Sequence, residues 1–128
     1  MVKVRKAQAG KLRQAISAGA NTWFADVPAA LGGEGSGPEP HDLFDAALGA
    51  CTALTVSLVA QRKQWPLEDV RVSITHTETD GEYRLHRQVE LVGSLSGEQR
   101  EYLLGIANKC PIHRLLHKQI SVETVLEG

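Results

Sequence analysis

The longest apolar stretch of the chain, from Leu43 to Gln64, organises the predicted fold. Its apolar residues would cover nearly the whole circumference of a helix, which is typical of a buried helix rather than a surface helix. One face would carry Phe44, Leu48, Cys51, Thr55 and Leu58, which follow one another at the spacing of helical neighbours. The pattern therefore predicts that Cys51 lies mid-helix, in an apolar wall.

The bounds of this helix follow from the prolines on either side. Pro40 suits the first helical position, where its missing N–H would have no partner, and Trp65-Pro66 should end the helix after about Gln64. The apolar stretch is also long enough to span a bilayer. Polar residues within it, such as Asp45 and Thr52, and the lack of a second hydrophobic span favour the central helix of a soluble domain.

Alternating apolar and polar positions predict strands on both sides of the central helix. The predicted strands are 2–4, 12–16, 22–25, 70–76, 83–91 and 120–124. A turn is expected at 18–21, and a loop rich in Gly and Pro between residues 27 and 39. The first three strands should form a hairpin or meander.

Two shorter helices are predicted after the strands. Ser96 and Gln99 form a capping box that should open the second helix. Its buried face would carry Leu103, Ile106, Ala107 and Cys110 at i, i+3, i+4 and i+7. Pro111 should begin a third helix that ends near residue 117. The order βββ-α-ββ-α-α-β predicts a single α+β domain over residues 1–128, with helices packed on antiparallel sheet.

Composition narrows the possible partners. The 128 residues carry a formal net charge of −1, which gives no electrostatic reason to expect nucleic acid or an anionic membrane. The N-terminus reads MVKVRKAQAGK and lacks the apolar region of a secretory signal, so we expect a cytoplasmic protein. Motifs for phosphate, dinucleotide or serine-hydrolase chemistry are absent from the sequence.

The chemistry is expected at the two cysteines. In a reducing compartment Cys51 and Cys110 could be small core residues, a redox pair or metal ligands. In a redox pair, one thiolate is oxidised by a peroxide to a sulfenic acid, which the other thiol converts to a disulfide. Cys110 lies beside the start of a helix and near His113, both of which favour a reactive thiolate, whereas Cys51 has no such group on its own helix.

Two further hypotheses concern the other polar residues. A zinc site could combine Cys51, Cys110, His113 and His117, but a lone Cys-x-x-His spacing is a weak signal, and no metal is predicted. The basic residues Arg84, Arg87 and Lys118 are assigned to solvated faces.

Two cysteine motifs carry a family resemblance. Residues 37–52 read GPEPHDLFDAALGACT, residues 62–67 read RKQWPL, and residues 107–113 read ANKCPIH. Together they resemble the OsmC/Ohr family of osmotically inducible and organic hydroperoxide resistance proteins, in its OsmC-like branch. The similarity extends over nearly the whole chain, in the expected order of elements.

This resemblance implies a cofactor-free, cysteine-based peroxidase that reduces organic hydroperoxides in oxidative-stress defence. Cys51 would hold the position of the peroxidatic cysteine and Cys110 that of the resolving one, with a dithiol as the reductant. The family fold is an intertwined homodimer in which antiparallel sheets wrap the long helix and the active sites lie at the subunit interface. The alternative from another class is a non-catalytic dimeric module that binds a small apolar ligand.

One position departs from the family pattern. The best-studied members of the family have a Glu directly after the helix-opening Pro, which helps to hold an activating Arg, and this chain has His41 there. The ten residues to Cys51 span about 15 Å of helix, so His41 could act on a thiol only in trans. The family's Arg comes from the N-terminal β region, where Arg13 is the nearest candidate.

Overall fold

The computed structural model describes all residues, 1–128, and confirms the predicted α+β class with antiparallel sheets and one long helix. The chain divides into two compact units, residues 1–46 and 47–128. The elements are β1 (Val2–Lys6), β2 (Gln14–Ala18), β3 (Asn21–Ala25), α1 (Pro40–Arg62), β4 (Leu67–Glu78), β5 (Tyr83–Gly93), α2 (Gly97–Ala107) and α3 (Pro111–Leu116). That residues 1–128 form a single domain stays a prediction.

The first unit contains the predicted meander. Strands β1, β2 and β3 form an antiparallel sheet in that order, with Ile16 paired to Val4 on one side and to Trp23 on the other. The turn between β2 and β3 contains Gly19, whose φ of 60° lies in the left-handed region that glycine adopts without a Cβ clash. The alternation in the sequence therefore predicted three strands and the turn between the second and third, but it placed β2 two residues too early.

The loop after β3 is held by one buried carboxylate. Asp26, 5% exposed, accepts hydrogen bonds from the backbone N–H groups of Val27, Glu34 and Ser36 at 2.8, 3.2 and 3.0 Å. The hydroxyl of Ser36 donates a fourth, at 2.6 Å. The hydrogen bond from that hydroxyl, followed by the backbone donors, lowers the pKa of Asp26 from 3.8 to about 2. Residues 26–36, the Asp26 loop, are thus ordered around an ionised side chain.

Helix α1 begins at Pro40 as predicted and ends slightly early. Gln64 takes a left-handed conformation (φ 57°), and the N–H of Trp65 donates to the Ala60 carbonyl at 3.0 Å, which closes the helix end. The prediction that α1 is buried on most sides is wrong for the single chain. Leu54 and Leu58 are 64% and 48% exposed, because one chain of this length supplies too little apolar surface to cover the whole helix.

By length and composition α1 is also apolar enough to cross a membrane, and 28% of its most apolar window is buried within the chain. A single helix of this kind is weak evidence for a membrane span, since the core helix of a soluble protein has the same properties.

The second unit has its own core between α1, α2 and the β4–β5 hairpin. Four fully buried residues form its centre: Val56, Ala60, Leu103 and Ala107. The hairpin pairs antiparallel, with Val72 opposite Val89, and its inward-facing apolar residues pack on this cluster. The predicted capping box opens α2, since Ser96 accepts from the N–H of Gln99 and the Gln99 side chain accepts from the N–H of Ser96.

The predicted last strand, 120–124, is wrong. Residues 119–128 form no helix or strand, and Ile120 and Val122 are 61% and 86% exposed. Alternating apolar residues favour an extended chain, but a strand also needs a neighbour that completes its ladder of hydrogen bonds. The chain pairs no strand with this segment.

Candidate thiol site

The two cysteines meet at the first turn of α3. The backbone N–H of Ile112 donates to Cys51 Sγ at 3.5 Å, and the N–H of His113 donates to Cys110 Sγ at 3.3 Å. Both cysteines are free thiols. Residues that lie 59 positions apart in the sequence are therefore held by adjacent backbone donors of one short helix.

Cys110 occupies a different position in the secondary structure from the one predicted. It does not lie on the buried face of α2, because α2 ends at Ala107 and Cys110 is the N-cap of α3. Pro111 is the physical reason: it has no N–H to continue α2, and it disfavours the helical region for the residue before it. Cys110 accordingly has extended dihedrals (φ −64°, ψ 150°), and its burial is complete, as expected of a core position.

Cys51 differs from Cys110 in its access to solvent. It lies on α1 as predicted, but it is only partly buried, and its nearest side-chain partner is the Thr55 hydroxyl, at 4.0 Å. A molecule that arrives from solution can therefore meet Cys51 more easily than the fully buried Cys110.

Thr52, the residue after Cys51, connects α1 to Cys110. It is fully buried, its hydroxyl donates to the Leu48 carbonyl at 2.7 Å, and its Oγ1 lies 3.8 Å from Cys110 Sγ. The hydroxyl has one proton, which the short contact assigns to Leu48. Towards Cys110, Thr52 is then an acceptor, and the Cys110 S–H is the donor.

Arg87 lies at this site, which the sequence pattern did not predict. It was assigned to a solvated face, yet its Nη1 donates to Thr52 Oγ1 at 3.0 Å and to the Ala107 carbonyl at 3.1 Å. Its Nη2 lies 2.8 Å from Asn108 Oδ1 and 3.2 Å from His113 Nδ1. Arg84 and Lys118 are exposed, in agreement with the same assignment.

The sequence did contain a signal for Arg87. Successive side chains of a strand point to opposite faces, so residue 87 shares a face with the apolar residues two and four positions away. On β5 these are Tyr83, Leu85, Val89 and Leu91, all partly buried. A charged residue at an inward position of a strand needs a polar partner there, and Arg87 has four, of which Thr52 and the Ala107 carbonyl belong to buried residues.

His113 is held neutral by its surroundings. Burial, then the charge of Arg87 and the neighbouring His117, lower the pKa of His113 below 6.5. The geometry agrees, since the guanidinium faces Nδ1 as a donor and requires an unprotonated nitrogen there. The rings of His113 and His117 lie 4.9 Å apart.

The zinc hypothesis has no geometric support. No group of three or more His, Cys, Asp or Glu side chains lies close enough together to hold a metal ion.

The two other candidate residues belong to the first unit. His41, in the first turn of α1, is about half exposed, and its Nδ1 lies 4.0 Å from a Glu39 carboxylate oxygen. The Arg13 guanidinium stacks over the Phe24 ring at 4.4 Å, and its Nε is buried without a hydrogen-bond partner. The activating role of Arg13 stays a prediction.

Comparison with known proteins gives a family match over most of the chain. The model of the OsmC-like protein family matches residues 33–125. No functionally curated protein shows significant similarity to the sequence.

Solved structures share the fold at low sequence identity. A Psychrobacter arcticus protein described as an osmotic stress induced and detoxification response protein is 19% identical, with a TM-score of 0.76 over 91% of this chain and 87% of its own. The organic hydroperoxide resistance protein OsmC of Legionella pneumophila is 24% identical, with a TM-score of 0.64 over 91% and 88%. The organic hydroperoxide resistance protein OhrB of Bacillus subtilis is 23% identical, with a TM-score of 0.57 over 91% and 89%.

Proposed function

The chain belongs to the OsmC-like protein family, and on that premise we propose that it is a thiol-dependent peroxidase that reduces organic hydroperoxides in oxidative-stress defence. Cys51 is the peroxidatic cysteine and Cys110 the resolving cysteine. The observation that carries the proposal is the convergence of two free thiols on the adjacent N–H groups of Ile112 and His113. Two similar structures are named as organic hydroperoxide resistance proteins, which supports the choice of substrate.

The proposed reaction has three balanced steps. The Cys51 thiolate bonds to one peroxide oxygen, the O–O bond breaks, and the alkoxide leaves as an alcohol with the proton that the thiol released. The Cys110 sulfur then displaces hydroxide from the Cys51 sulfenic acid, and the Cys110 proton converts that hydroxide to water. A dithiol reductant finally exchanges with the Cys51–Cys110 disulfide, is itself oxidised to a disulfide, and restores both thiols.

The difference in burial supports this order of roles. The peroxide must reach the first nucleophile, and Cys51 is the partly exposed thiol. The resolving thiol needs to reach only Cys51, so complete burial of Cys110 is compatible with its role. This argument outweighs the proximity of Cys110 to the start of α3, because the N–H groups of that turn serve both sulfurs.

The proposal includes a cytoplasmic homodimer. A partner subunit that covered Leu54 and Leu58 would remove exposed apolar surface from α1, and burial of such side chains contributes about 1.5–3 kcal/mol each. Sedimentation at micromolar concentration should therefore give a dimer. A stable monomer would contradict this part of the proposal.

Single-turnover kinetics of two variants test the roles of the cysteines. Cys51→Ser should consume no cumene hydroperoxide, because it lacks the nucleophile. Cys110→Ser should consume about one equivalent per subunit and then stop with a sulfenic acid on Cys51, detectable with dimedone by mass spectrometry.

Other outcomes decide against the proposal. The reverse pattern would make Cys110 the nucleophile. Unchanged consumption in both variants, or none in the wild type, would favour the non-catalytic module that binds a small apolar ligand. If the wild type is inactive, His41→Glu restores the family's residue at that position. A gain of activity in this variant would show that His41 causes the inactivity.

A second measurement tests the substrate class. The helix face around Cys51 is apolar, with Leu48 buried and Leu58 half-exposed, and each buried CH₂ of a substrate could contribute about 0.8 kcal/mol of binding. Cumene hydroperoxide should therefore show a higher kcat/KM than hydrogen peroxide. Equal values would show that apolar contacts do not select the substrate.

A further inference from the structure

The side chain of Arg87 joins β5 to all three helices around Cys110. From β5 it reaches Thr52 on α1, the Ala107 carbonyl and Asn108 at the end of α2, and His113 on α3. All four contacts lie between 2.8 and 3.2 Å, the range of good hydrogen bonds to a guanidinium. The segment between α2 and α3, which carries Cys110, is therefore held by Arg87 on both of its sides.

The contact with Thr52 links Arg87 to the thiol itself. Thr52 Oγ1 gives its proton to Leu48 and accepts from Arg87, which leaves a lone pair towards Cys110 Sγ. Cys110 also accepts from the N–H of His113, whose ring Arg87 contacts. Both polar neighbours of Cys110 Sγ thus depend on the same guanidinium.

We propose that Arg87 is a positioning residue for the resolving half of the reaction, because it fixes Thr52 and the turn that carries Cys110. The inference rests on the proposed function. In the step concerned, an S–S bond forms between Cys110 and Cys51, the S–O bond of the Cys51 sulfenic acid breaks, and the Cys110 proton leaves in the water produced. Arg87 neither gains nor loses a proton, since a guanidinium stays charged in proteins. Its charge, one hydroxyl away from Cys110 Sγ, stabilises the negative charge that develops on that sulfur.

The inference predicts a separation of the two half-reactions. Cys51 accepts a hydrogen bond from the backbone N–H of Ile112, and none of the four hydrogen bonds of Arg87 goes to Cys51, so its oxidation should not need the guanidinium. Arg87→Met should leave sulfenic acid formation within about twofold of the wild type and slow disulfide formation by about tenfold or more, as expected for lost hydrogen bonds to a charged group. A general loss of structure would slow both steps together.

The experiment compares Arg87→Met with a matched control on the same strand. Arg84→Met removes an exposed arginine that lies 3.7 Å from Glu82, away from both cysteines in the sequence and in its hydrogen bonds, so both steps should proceed as in the wild type. Stopped-flow mixing with cumene hydroperoxide would follow sulfenic acid formation, and quenched samples would measure the disulfide. Arg87→Lys, which keeps the charge but not the fork of donors, should recover only part of the rate.

Thr52 supplies a second pair of variants in case Arg87→Met fails to fold. Thr52→Val replaces the hydroxyl with a methyl group of similar volume and should slow disulfide formation in the same selective way. Thr52→Ser keeps the hydroxyl and should retain the rate. Disulfide formation at the wild-type rate in both Arg87→Met and Thr52→Val would overturn the inference.

A peroxide-free assay separates this inference from the proposed function. Diamide oxidises neighbouring dithiols without a peroxide, so it forms the Cys51–Cys110 disulfide even if the wild type does not react with hydroperoxides. Slower diamide oxidation of Arg87→Met than of Arg84→Met would support the positioning role in that case. Equal rates would contradict it, whatever the outcome of the peroxidase assay.

Discussion

Asp26 and Arg87 each make four hydrogen bonds, one in each of the two compact units, but their partners lie at different distances along the sequence. All the donors to Asp26 come from residues at most ten positions away, within one loop. The partners of Arg87 lie 20 to 35 positions away, on three different helices or their ends. The Asp26 loop can therefore form locally, whereas the contacts of Arg87 exist only after β5 and the helices have packed.

This difference predicts how each unit responds when its charged residue is replaced. A loop that opens can satisfy its N–H groups with water, so loss of Asp26 should act mainly on that loop. Loss of Arg87 removes a donor from the fully buried Thr52, which keeps its hydrogen bond to Leu48, and leaves the carbonyl of the buried Ala107 without its donor, so it should lower the stability of the second unit.

The largest effect on stability is expected for Arg87→Met. Removal of a partly buried, charge-assisted network should lower the free energy of unfolding by about 2–4 kcal/mol. Urea unfolding would measure the change, with Arg84→Met as the control that should stay within about 0.5 kcal/mol of the wild type. An equal loss in both variants would mean that the buried contacts of Arg87 do not stabilise the fold.

A smaller, local effect is expected for Asp26→Asn. The neutral amide is a weaker acceptor than the carboxylate, so the backbone amides of Glu34 and Ser36 should exchange with deuterium about tenfold faster. Amides of α2 should be unchanged, and a uniform increase across both units would contradict the local character of this loop.

The lowered pKa of Asp26 also fixes the direction of its pH dependence. The carboxylate is favoured in the folded state, so its contribution to stability is complete above the unfolded value of 3.8 and is lost as the pH falls to about 2. Acid unfolding monitored by circular dichroism should show this loss in the wild type and a weaker one in Asp26→Asn.

Ser96→Ala tests whether the loss of stability depends on the sequence distance between hydrogen-bond partners or on the unit in which they lie. Its capping box is as local as the Asp26 loop but lies in the second unit, and loss of an N-cap hydroxyl costs about 1 kcal/mol. Urea unfolding should give a loss smaller than that of Arg87→Met. A larger one would show that the capping box, and not the contacts of Arg87, dominates this unit.

The smallest effect is expected from protonation of His113. Its folded-state pKa is lowered, so the unfolded chain binds a proton more readily, and stability should fall as the pH drops below 6.5. Above that pH both states are neutral and the contribution is constant. His113→Asn should reduce the fall in Tm between pH 7.5 and 5.5, whereas His86→Asn, at an exposed strand position, should not.

Local rules in the sequence were sufficient for the starts of all three helices. Pro40 opens α1, Ser96 and Gln99 cap α2, and Pro111 opens α3, because each of these signals acts within one helical turn. The selection of Cys51 and Cys110 as the candidate pair also came from the sequence, through its resemblance to the OsmC/Ohr family. Their catalytic roles stay predictions.

The tertiary structure decided what depends on partners far apart in the chain. Residues 119–128 have an alternating pattern but no neighbouring strand, so the pattern alone could not make them a strand. Cys110 has the burial that its helical spacing predicted, yet its backbone caps α3, because Pro111 overrides the periodicity of α2. Arg87 is the clearest example of what the sequence could not predict. Its inward position on β5 follows from the alternation, but its four partners lie 20 to 35 residues away in the sequence. Hydrogen bonds of that range leave no periodic trace in a sequence, because they form only once packing has brought their donors and acceptors within about 3 Å.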